Sequence, residues 1–279
     1  MTNEIDQTER ITELEERLRG NLPIMDGSTS TIPIEGGIIA AFEGITQEEA
    51  EAKVQHSTTY GSFDNLLDGK RDVIFTPLLS AEQKAEAEER GIELEAVPIV
   101  KEAFVFVLNA NNSVDTLTQN QIRSIYTGDI TNWKQLGGDD TEIIPYQRDE
   151  TSGSQNFMEI FMNGYNLIEA KKESILGSMN SILDVIAGYD NGEYSIGYSV
   201  YAYAANMYTN VDGIKFVKVD GVEPKNETIS SGEYPLIDYT YAIYDKNKAG
   251  SNVTDLVEWL LTDAGKEAMK NAGYISVEK

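Results

Sequence analysis

The sequence predicts an α/β protein in which β-strands and helices alternate along the chain. Short apolar runs rich in β-formers, such as 72–76 and 103–108, are separated by segments that open with helix-capping motifs. This alternation is typical of largely parallel sheets flanked by helices. With 279 residues, 41% of them hydrophobic, the chain is long enough to bury a substantial core in one or two domains.

The N-terminal segment has two interpretations. Residues 2–20 are charged and polar, with Ile11, Leu14 and Leu18 spaced three and four apart, which indicates either a short amphipathic helix or a solvated leader. The first residues lack the basic and apolar regions of a signal peptide, and no apolar run reaches the roughly 18–20 residues of a membrane span. We therefore expect either a cytosolic protein or the trimmed form of an exported one.

The remaining elements follow in order. Helix starts are marked by Ser or Thr followed three residues later by Glu or Gln, and helix ends are marked by Gly. Helices are predicted from 36, over 46–54, 63–69 and 80–91, from 118 and from 154, over 179–188, and as one or two helices over 252–271. Strands are predicted over 72–76, 92–100, 103–108, 142–148, 194–204, 214–219 and 239–244.

Composition and charge exclude several kinds of function. The 22 Lys and Arg against 47 Asp and Glu give a formal net charge of −25, which argues against nucleic-acid binding and against a polybasic membrane contact. There is no cysteine, so disulfides and thiolate metal sites are excluded. His56 is the only histidine, which excludes a His-rich metal site. We expect neither a metal nor a cofactor.

The stretch Asp26–Pro33 contains four consecutive hydroxyl residues after Gly27. Ser or Thr makes a good helix N-cap, and Pro is tolerated in the first helical turn. A helix N-terminus presents unpaired N–H groups and a partial positive charge, so it can receive an anion, and hydroxyls add donors without adding charge. Taken alone, the stretch is better explained as a capped helix after a polar turn.

Two further stretches repeat this chemistry. His56–Ser62 is a second hydroxyl cluster, and Arg148–Ser154 places an arginine at a strand end before a Ser-Gly-Ser turn. Arg offers a planar fork of five N–H donors that suits two oxygens of a tetrahedral anion, and Gly153 lets the backbone approach a ligand closely. Ligands of open α/β sheets bind beyond the carboxyl ends of strands. Three such stretches with one arginine therefore predict a site for a small oxyanion.

These motifs resemble those of the phosphate-binding proteins that serve ABC importers, a family with the type II periplasmic binding protein fold. The resemblance covers about residues 21–275 and looks most like the Gram-positive branch, whose members are lipid-anchored outside the membrane. The segments that carry it are Gly27–Pro33, Thr58–Gly61, Arg148 with Ser152–Ser154, Gln121–Gly128, Ile130–Trp133, Ile196–Tyr198 and Tyr201–Tyr203.

The resemblance implies a two-lobed α/β fold, each lobe a mostly parallel sheet flanked by helices, with a two-segment hinge. It implies a first lobe of 21–103 and 240–279 and a second lobe of 104–239. Residues 1–20 lie outside the resemblance, and their charge and spacing predict a leader or tether helix. The resemblance also implies a monomeric, extracytoplasmic binding protein without enzymatic activity. Such a protein captures inorganic phosphate in the cleft between its lobes and delivers it to an ABC transporter permease.

The family's site residues carry over to this sequence motif by motif. Glu150 takes the place of the residue that orients the arginine. The implied ligand-binding residues are Ser28, Thr29, Ser30, Thr31, Ile32, Thr58, Thr59, Tyr60, Thr76, Arg148, Ser152, Gly153 and Ser154.

One departure from the family concerns the choice of anion. Phosphate binders place an aspartate just after the strand at 72–76, where this chain has Thr76–Leu79. A carboxylate at that point accepts the proton of phosphate and disfavours sulfate, which has no proton to donate. Asp26 and Asp64 are the candidates for a substitute acceptor. Without one, the ligand is another oxyanion such as sulfate, molybdate or tungstate.

The sequence also bears on alternatives to binding for transport. A serine hydrolase based on Ser152 is disfavoured, because the sequence has no Gly-x-Ser-x-Gly elbow and only His56 as a base. The turn Gly137–Asp140 is better explained as a solvated acidic turn than as a calcium site. A sensor or adhesion module with the same fold and site, not coupled to transport, is the alternative.

Overall fold

The computed structural model describes residues 2–150, 152–169, 175–188 and 194–277, with side chains described from Gln7 onwards except that of Met179. The chain divides into two compact units. Unit 1 comprises Met1–Lys101 and Tyr239–Lys279, and unit 2 comprises Glu102–Asp238. The lobe boundaries expected from the sequence, after 103 and after 239, lie within two residues of these divisions.

Helices and strands alternate through both units. The helices are α1 (Thr2–Leu18), α2 (Ile32–Glu43), α3 (Gln47–Glu51), α4 (Thr58–Leu67), α5 (Ala81–Glu89), α6 (Gln119–Tyr126), α7 (Gly153–Met162), α8 (Met179–Ala187), α9 (Asn226–Ser231), α10 (Ser251–Leu260) and α11 (Asp263–Asn271). The strands are β1 (Met25–Gly27), β2 (Val73–Thr76), β3 (Leu94–Asn109), β4 (Thr116–Leu117), β5 (Ile144–Pro145), β6 (Gln147–Arg148), β7 (Ile175–Leu176), β8 (Ser195–Val200), β9 (Ile214–Phe216), β10 (Lys218–Val219), β11 (Ile237–Asp245) and β12 (Ile275–Ser276).

In unit 1, the sheet places two polar strand ends side by side. β1 runs parallel to β2, with Asp26 opposite Ile74 and Gly27 opposite Phe75. β11 lies antiparallel on the other edge of β2. Because parallel strands end at the same edge, the loop after Gly27 and the residue Thr76 emerge together.

One apolar cluster of unit 1 lies between this sheet and two of its helices. Its buried side chains come from α4, β2, α5 and β11, and from the loop after β2, and they are Phe63, Leu66, Leu67, Ile74, Leu79, Ala87 and Ile243. This apolar layer fixes where β2 ends and α4 begins.

In unit 2, the second half of β3 is the central strand. It pairs antiparallel with β8 and with β9, and β5 lies parallel to β8. Two small parallel pairs complete the unit, β4 with β10 and β6 with β7. An aromatic cluster packs against β3, with ring centroids between 5.0 and 6.3 Å apart, formed by Phe104, Phe106, Tyr126, Phe157, Phe161 and Tyr198.

The N-terminal helix is a packed element of unit 1. On α1, Leu14 and Leu18 are fully buried. Arg10 Nε donates to Glu258 on α10 at 2.6 Å, and Arg17 pairs with Asp255 at 2.9 Å. The solvated-leader interpretation is therefore wrong, and the amphipathic-helix interpretation is confirmed. Among the described residues, no helix is both long and apolar enough to cross a membrane.

The prediction of mostly parallel sheets is wrong in detail, because the sheets are mixed. The pairs of β3 with β8, β9 and β12 are all antiparallel, as is the pair of β2 with β11. Alternation of strands and helices does not reveal whether a strand returns alongside its predecessor. The two runs predicted over 92–100 and 103–108 also form one 16-residue strand, β3.

Two other element predictions fail at tyrosine- and hydroxyl-rich positions. The strand predicted over 194–204 ends at Val200, and a π-helical turn follows over Tyr203–Met207. The helix predicted from 63 begins at Thr58, so Thr58–Gly61 is the first turn of α4 and not a separate turn. In both places strand and turn propensities are overridden by tertiary packing.

Candidate functional site

The hydroxyl loop, defined as Ser28–Thr31, connects β1 to α2 in unit 1. Thr29–Thr31 form a single 3₁₀ turn, and Pro33 lies in the first turn of α2. The hydroxyls of Ser28 and Ser30 are 3.0 Å apart and both residues are buried, whereas Thr29 is partly exposed. The loop therefore brings hydroxyl groups to the N-terminus of α2, where the helix dipole favours an anion.

Thr31 and the Ser30 backbone hold this loop in place. Thr31 Oγ1 donates to Ser28 O at 2.9 Å and to Phe75 O at 3.1 Å. The hydroxyl of Tyr274 donates to Ser30 O. Because the Thr31 hydroxyl is already engaged with two carbonyls, its predicted role as a ligand contact is better filled by Ser28, Thr29 and Ser30.

Asp26 is the structural centre of the unit 1 site. It is fully buried, and its Oδ1 accepts from Gly27 N and from Ser57 N, both at 2.8 Å. Its Oδ2 accepts from Asn65 Nδ2 and from Arg71 Nε, both at 3.1 Å. A carboxylate has about four acceptor positions. The four donors fill them, so the predicted role of Asp26 as acceptor of the ligand's proton is not supported.

The second hydroxyl cluster begins α4 with an unusual backbone conformation. Thr58 has a φ of 67°, although it is β-branched. Such a conformation is strained for this residue type, and strain of this kind is concentrated at functional sites. Thr58 is exposed, Tyr60 is partly exposed and Thr59 is buried. Ser57, just before them, is tied to Asp26, so the two hydroxyl segments share one anchor.

Two other candidates in unit 1 lie in contrasting environments. Thr76, at the end of β2, is fully buried and its hydroxyl donates to Pro77 O at 2.9 Å. Asp64, the second candidate acceptor, is exposed on α4. The single histidine, His56, is exposed as well. The structure thus leaves the hydroxyl loop and the first turn of α4 as the polar groups best able to contact an anion in unit 1.

In unit 2, Arg148 is a buried cation surrounded by neutral partners. It is 9% exposed at the end of β6. Its Nε donates to Leu176 O at 2.8 Å, Nη1 to Ser154 Oγ at 3.1 Å, and Nη2 to Gly177 O at 3.4 Å. These bonds use three of the five guanidinium N–H groups. One N–H on each Nη is left within the described part of the chain, a fork that fits two oxygens of one anion.

The turn after Arg148 adds hydroxyl donors at a helix start. Ser152 is the N-cap residue of α7, and its Oγ lies 2.9 Å from Ser154 Oγ. Both residues are buried, as is Gly153 between them. The structure therefore brings together Arg148, Ser152, Gly153 and Ser154 at one end of unit 2, as predicted from their sequence motif.

Burial also affects the pKa of Arg148. Desolvation lowers the pKa of the guanidinium, while the negative charge of Asp149 opposes that shift. An arginine keeps its proton under all ordinary conditions. A desolvated positive charge with neutral partners is costly unless an anion joins it.

Glu150 does not orient Arg148 in this structure. The side chain of Glu150 is exposed, and the three described guanidinium bonds go to two backbone carbonyls and a serine hydroxyl. The parallel pairing of Arg148 with Leu176 explains this, because it brings the carbonyls of 176 and 177 alongside the side chain. The predicted role of Glu150 is therefore replaced by the backbone of the β7 segment.

Sequence reasoning missed the residues that support Arg148 from a distance. Arg148 N donates to the hydroxyl of Tyr198 at 2.9 Å, and that hydroxyl donates to Gln155 Oε1. Tyr198 is fully buried, and burial raises its pKa above the usual value. From the sequence, Tyr198 stands out only as part of a family motif, because no local pattern links residues 43 and 50 positions apart.

Comparison with known proteins establishes the family. A profile of the PBP superfamily domain matches residues 24–264. The chain belongs to the PBP superfamily. The predicted resemblance is confirmed, and the fold is that of the type II binding proteins, an α/β fold with sheets flanked by helices.

Several relatives are phosphate-binding proteins by name. The chain is 27% identical over 267 residues to the phosphate-binding protein PstS of Bacillus subtilis, covering 94% of this chain and 83% of the relative. It is 24% identical over 258 residues to PstS of Borreliella burgdorferi, covering 90% and 88% of the two chains.

Solved structures agree in fold. A putative phosphate ABC transporter substrate-binding protein from Clostridium perfringens, with bound phosphate, is 27% identical and superposes with a TM-score of 0.71, covering 91% of this chain and 98% of the other. An ABC-type phosphate transport receptor from Vibrio cholerae, 21% identical, shares the fold with a TM-score of 0.65 over 91% and 99% of the two chains.

Proposed function

We propose that this protein binds inorganic phosphate outside the cytoplasm and delivers it to the permease of an ABC importer. The observation that carries the proposal is Arg148, a buried guanidinium whose described hydrogen-bond partners are neutral. Among the described contacts, two of its N–H groups are left over beside the hydroxyls of Ser152 and Ser154. The names of the relatives, among them a structure with bound phosphate, support the same ligand.

Each unit, taken by itself, offers hydrogen-bond donors of the kind that bind an oxyanion. Unit 1 offers Ser28, Thr29 and Ser30 at the start of α2, with Thr58, Thr59 and Tyr60 in the first turn of α4. Unit 2 offers Arg148 and the turn Ser152–Ser154. Apart from one guanidinium, these donors are neutral. Donors at hydrogen-bond range act directly on an anion, whereas salt screens exposed charges more than roughly 8–10 Å away. The net charge of −25 therefore does not exclude anion binding.

The chemistry fits binding and release, not turnover. The proposed contacts contain donors but no paired nucleophile and base, which hydrolysis of a phosphoester would require. We accordingly propose a monomeric binding protein without enzymatic activity, held at the cell surface by a lipid anchor in its precursor. A sensor that binds the same anion without a permease would use the same contacts.

Calorimetric titration with phosphate tests the proposal. The wild type should bind phosphate with one-to-one stoichiometry. Arg148→Ala should remain folded and bind at least about 30-fold more weakly, since loss of a buried charged hydrogen-bond partner costs about 2–5 kcal/mol. Arg123→Ala is the matched control, because Arg123 stacks on Phe161 in the same unit, 4.5 Å from the ring centroid, away from the turn.

The outcome for other anions decides the ligand. Sulfate, molybdate and tungstate should be titrated alongside phosphate, because Asp26 is saturated by donors and offers no lone pair to a ligand proton. Absence of heat with phosphate, or an unchanged affinity in folded Arg148→Ala, contradicts the proposed function. Heat with tungstate or sulfate alone would replace phosphate by that anion.

A further inference from the structure

A buried carboxyl group lies beneath the hydroxyl loop and has no role in the proposed contacts. Glu35 is in the first turn of α2, and its side chain is 2% exposed. Helix side chains lean towards the N-terminus of their helix, which here directs Glu35 towards the loop. Its Oε1 lies 3.1 Å from the position that a Cβ on Gly27 would occupy. The carboxyl thus borders both the end of β1 and the start of α2.

The hydrogen bonding of Glu35 is incomplete. Within the part of the chain that the structure describes, its Oε1 is buried without a hydrogen-bond partner. A buried oxygen without a partner is costly, and far more so when it carries charge. A bound proton removes that charge. The geometry alone therefore favours a neutral carboxylic acid at this position.

The charged groups that face Glu35 lead to the same conclusion. Burial raises the pKa of Glu35 to about 8, Asp26 on β1 adds to the rise, and Arg71 opposes it. Asp26 has four hydrogen-bond donors, whereas Glu35 Oε1 has none among the described residues, so the surroundings of Glu35 favour its protonated form.

Of the two helices packed on α2, one brings a further carboxyl group close to α2. α3 approaches Gly36 through Glu51, whose Oε1 accepts from Gln47 Nε2 at 2.7 Å. α11 approaches Gly37 through uncharged groups, the side chains of Ala272 and Met269 and the carbonyl of Ala268. Arg71 is the cation that acts on the pKa of Glu35, and burial together with Asp26 outweighs it.

We propose that Glu35 tunes the phosphate site through its charge: as a neutral acid in the first turn of α2 it leaves anion binding intact, and it weakens anion binding when it ionises. This inference rests on the proposed function. A negative charge in the first turn of α2 would repel an anion bound at the same helix start. The neutral acid leaves the positive end of the helix available to the ligand.

The test compares phosphate affinity across pH in matched proteins. Calorimetry from about pH 6.5 to about pH 9.5 should be run on the wild type, Glu35→Gln and Glu43→Gln. Glu43 is an exposed residue at the other end of α2 that pairs with Lys53, so it controls for charge on the same helix. Phosphate itself titrates in this range, but identically for each protein. The ratio of dissociation constants therefore reports the protein alone.

The expected ratio of wild-type to Glu35→Gln dissociation constants is constant below about pH 7.5 and rises at least about fivefold by about pH 9.5. The ratio of wild type to Glu43→Gln should stay flat. Carbon-13 NMR of the wild-type side-chain carboxyls gives a second measurement without a variant. One glutamate should titrate near pH 8 and keep its proton to higher pH when phosphate is bound.

Two results would overturn the inference while leaving phosphate binding intact. One is a wild-type to Glu35→Gln ratio that stays constant across the pH range. The other is a carboxyl spectrum in which no glutamate except Glu102, whose pKa is raised to about 7, keeps its proton above about pH 6. Failure of the wild type to bind phosphate at all contradicts the proposed function, and with it this inference.

Discussion

Asp26 and Arg148 are buried charges in opposite situations. Asp26 has a donor for each of its acceptor positions, including the Arg71 guanidinium. Arg148 has neutral partners and N–H groups to spare among the described contacts. The first arrangement is complete without a ligand, whereas the second is incomplete. Asp26 is thus a structural residue and Arg148 the better candidate for ligand contact.

Replacing Asp26 tests this distinction. Asp26→Asn should lower the free energy of unfolding by about 3 kcal/mol or more, because it leaves buried donors and Arg71 without their charged partner. Urea denaturation measures the change. Asp68→Asn is the control, since Asp68 makes exposed ion pairs with Lys70 and Arg90, and it should change stability little. An Asp26→Asn protein as stable as the wild type would show that the donor network is not important.

At the residue scale, the sequence predicted the identity of the important residues more successfully than their roles. Arg148 and the hydroxyl stretches were identified because their chemistry is local and unusual. The roles of Asp26, Glu35 and Glu150 depend on partners far away in sequence, such as Ser57 for Asp26 and Leu176 for Arg148. Those partners are chosen by strand register, which single-sequence patterns do not specify.

Gly27 fixes the path of the hydroxyl loop at the element scale. A Cβ at this position would lie 2.3 Å from Thr31 Oγ1 and 2.7 Å from the carbonyl oxygen of Phe75. The second atom belongs to the backbone of β2, so it cannot move without disturbing the sheet. Only glycine allows the loop to leave β1 this close to its neighbour.

Gly27→Ala should therefore displace the loop. We expect a loss of about 1–3 kcal/mol in stability from overpacking and at least a tenfold loss in phosphate affinity. Thermal unfolding and calorimetry measure the two effects. Gly177→Ala is the control for stability, because nothing lies within 4 Å of its added Cβ. If Gly27→Ala kept both wild-type properties, the loop would not depend on this close approach.

Elements that begin at a local signal were predicted best. The capping boxes at Thr46, Ser80 and Thr118 all form, and each starts its helix at the next residue. Strand ends were predicted less well. β8 ends at Val200 because the chain turns into helix there, although the following tyrosines favour a strand. Pairing direction was also not predictable, since β2 pairs with β11 and β3 pairs with β8 across long sequence separations.

At the scale of the whole molecule, two buried acids set a pH dependence of stability. Burial is the largest cause that raises the pKa of Glu35 to about 8 and of Glu102 to about 7, from 4.5. Glu102 accepts from Ala103 N at 2.9 Å and Ala202 N at 3.1 Å, which offsets part of the rise. The folded state therefore binds protons that the unfolded state releases.

The raised pKa values of Glu35 and Glu102 set the direction in which stability changes with pH. Stability from these protonated acids is fully present below about pH 4.5 and is lost as pH rises through about 7 and 8. We expect the free energy of unfolding to fall between about pH 5 and about pH 8, by up to about 1.4 kcal/mol per pH unit for each group. Urea unfolding at several pH values measures it. Glu35→Gln and Glu102→Gln should each flatten the fall, and unchanged slopes in both variants would contradict this assignment.

The proposed function requires that the chain binds phosphate and that Arg148 and Ser30 are each needed for full affinity. Calorimetric titration of phosphate into the wild type, Ser30→Ala and Arg148→Ala tests it most directly, with circular dichroism to verify folding. The account predicts one phosphate per chain and a weaker affinity in each variant, with the larger loss for Arg148→Ala. Wild-type affinity in either folded variant, or a wild type that releases no heat with phosphate, would contradict it.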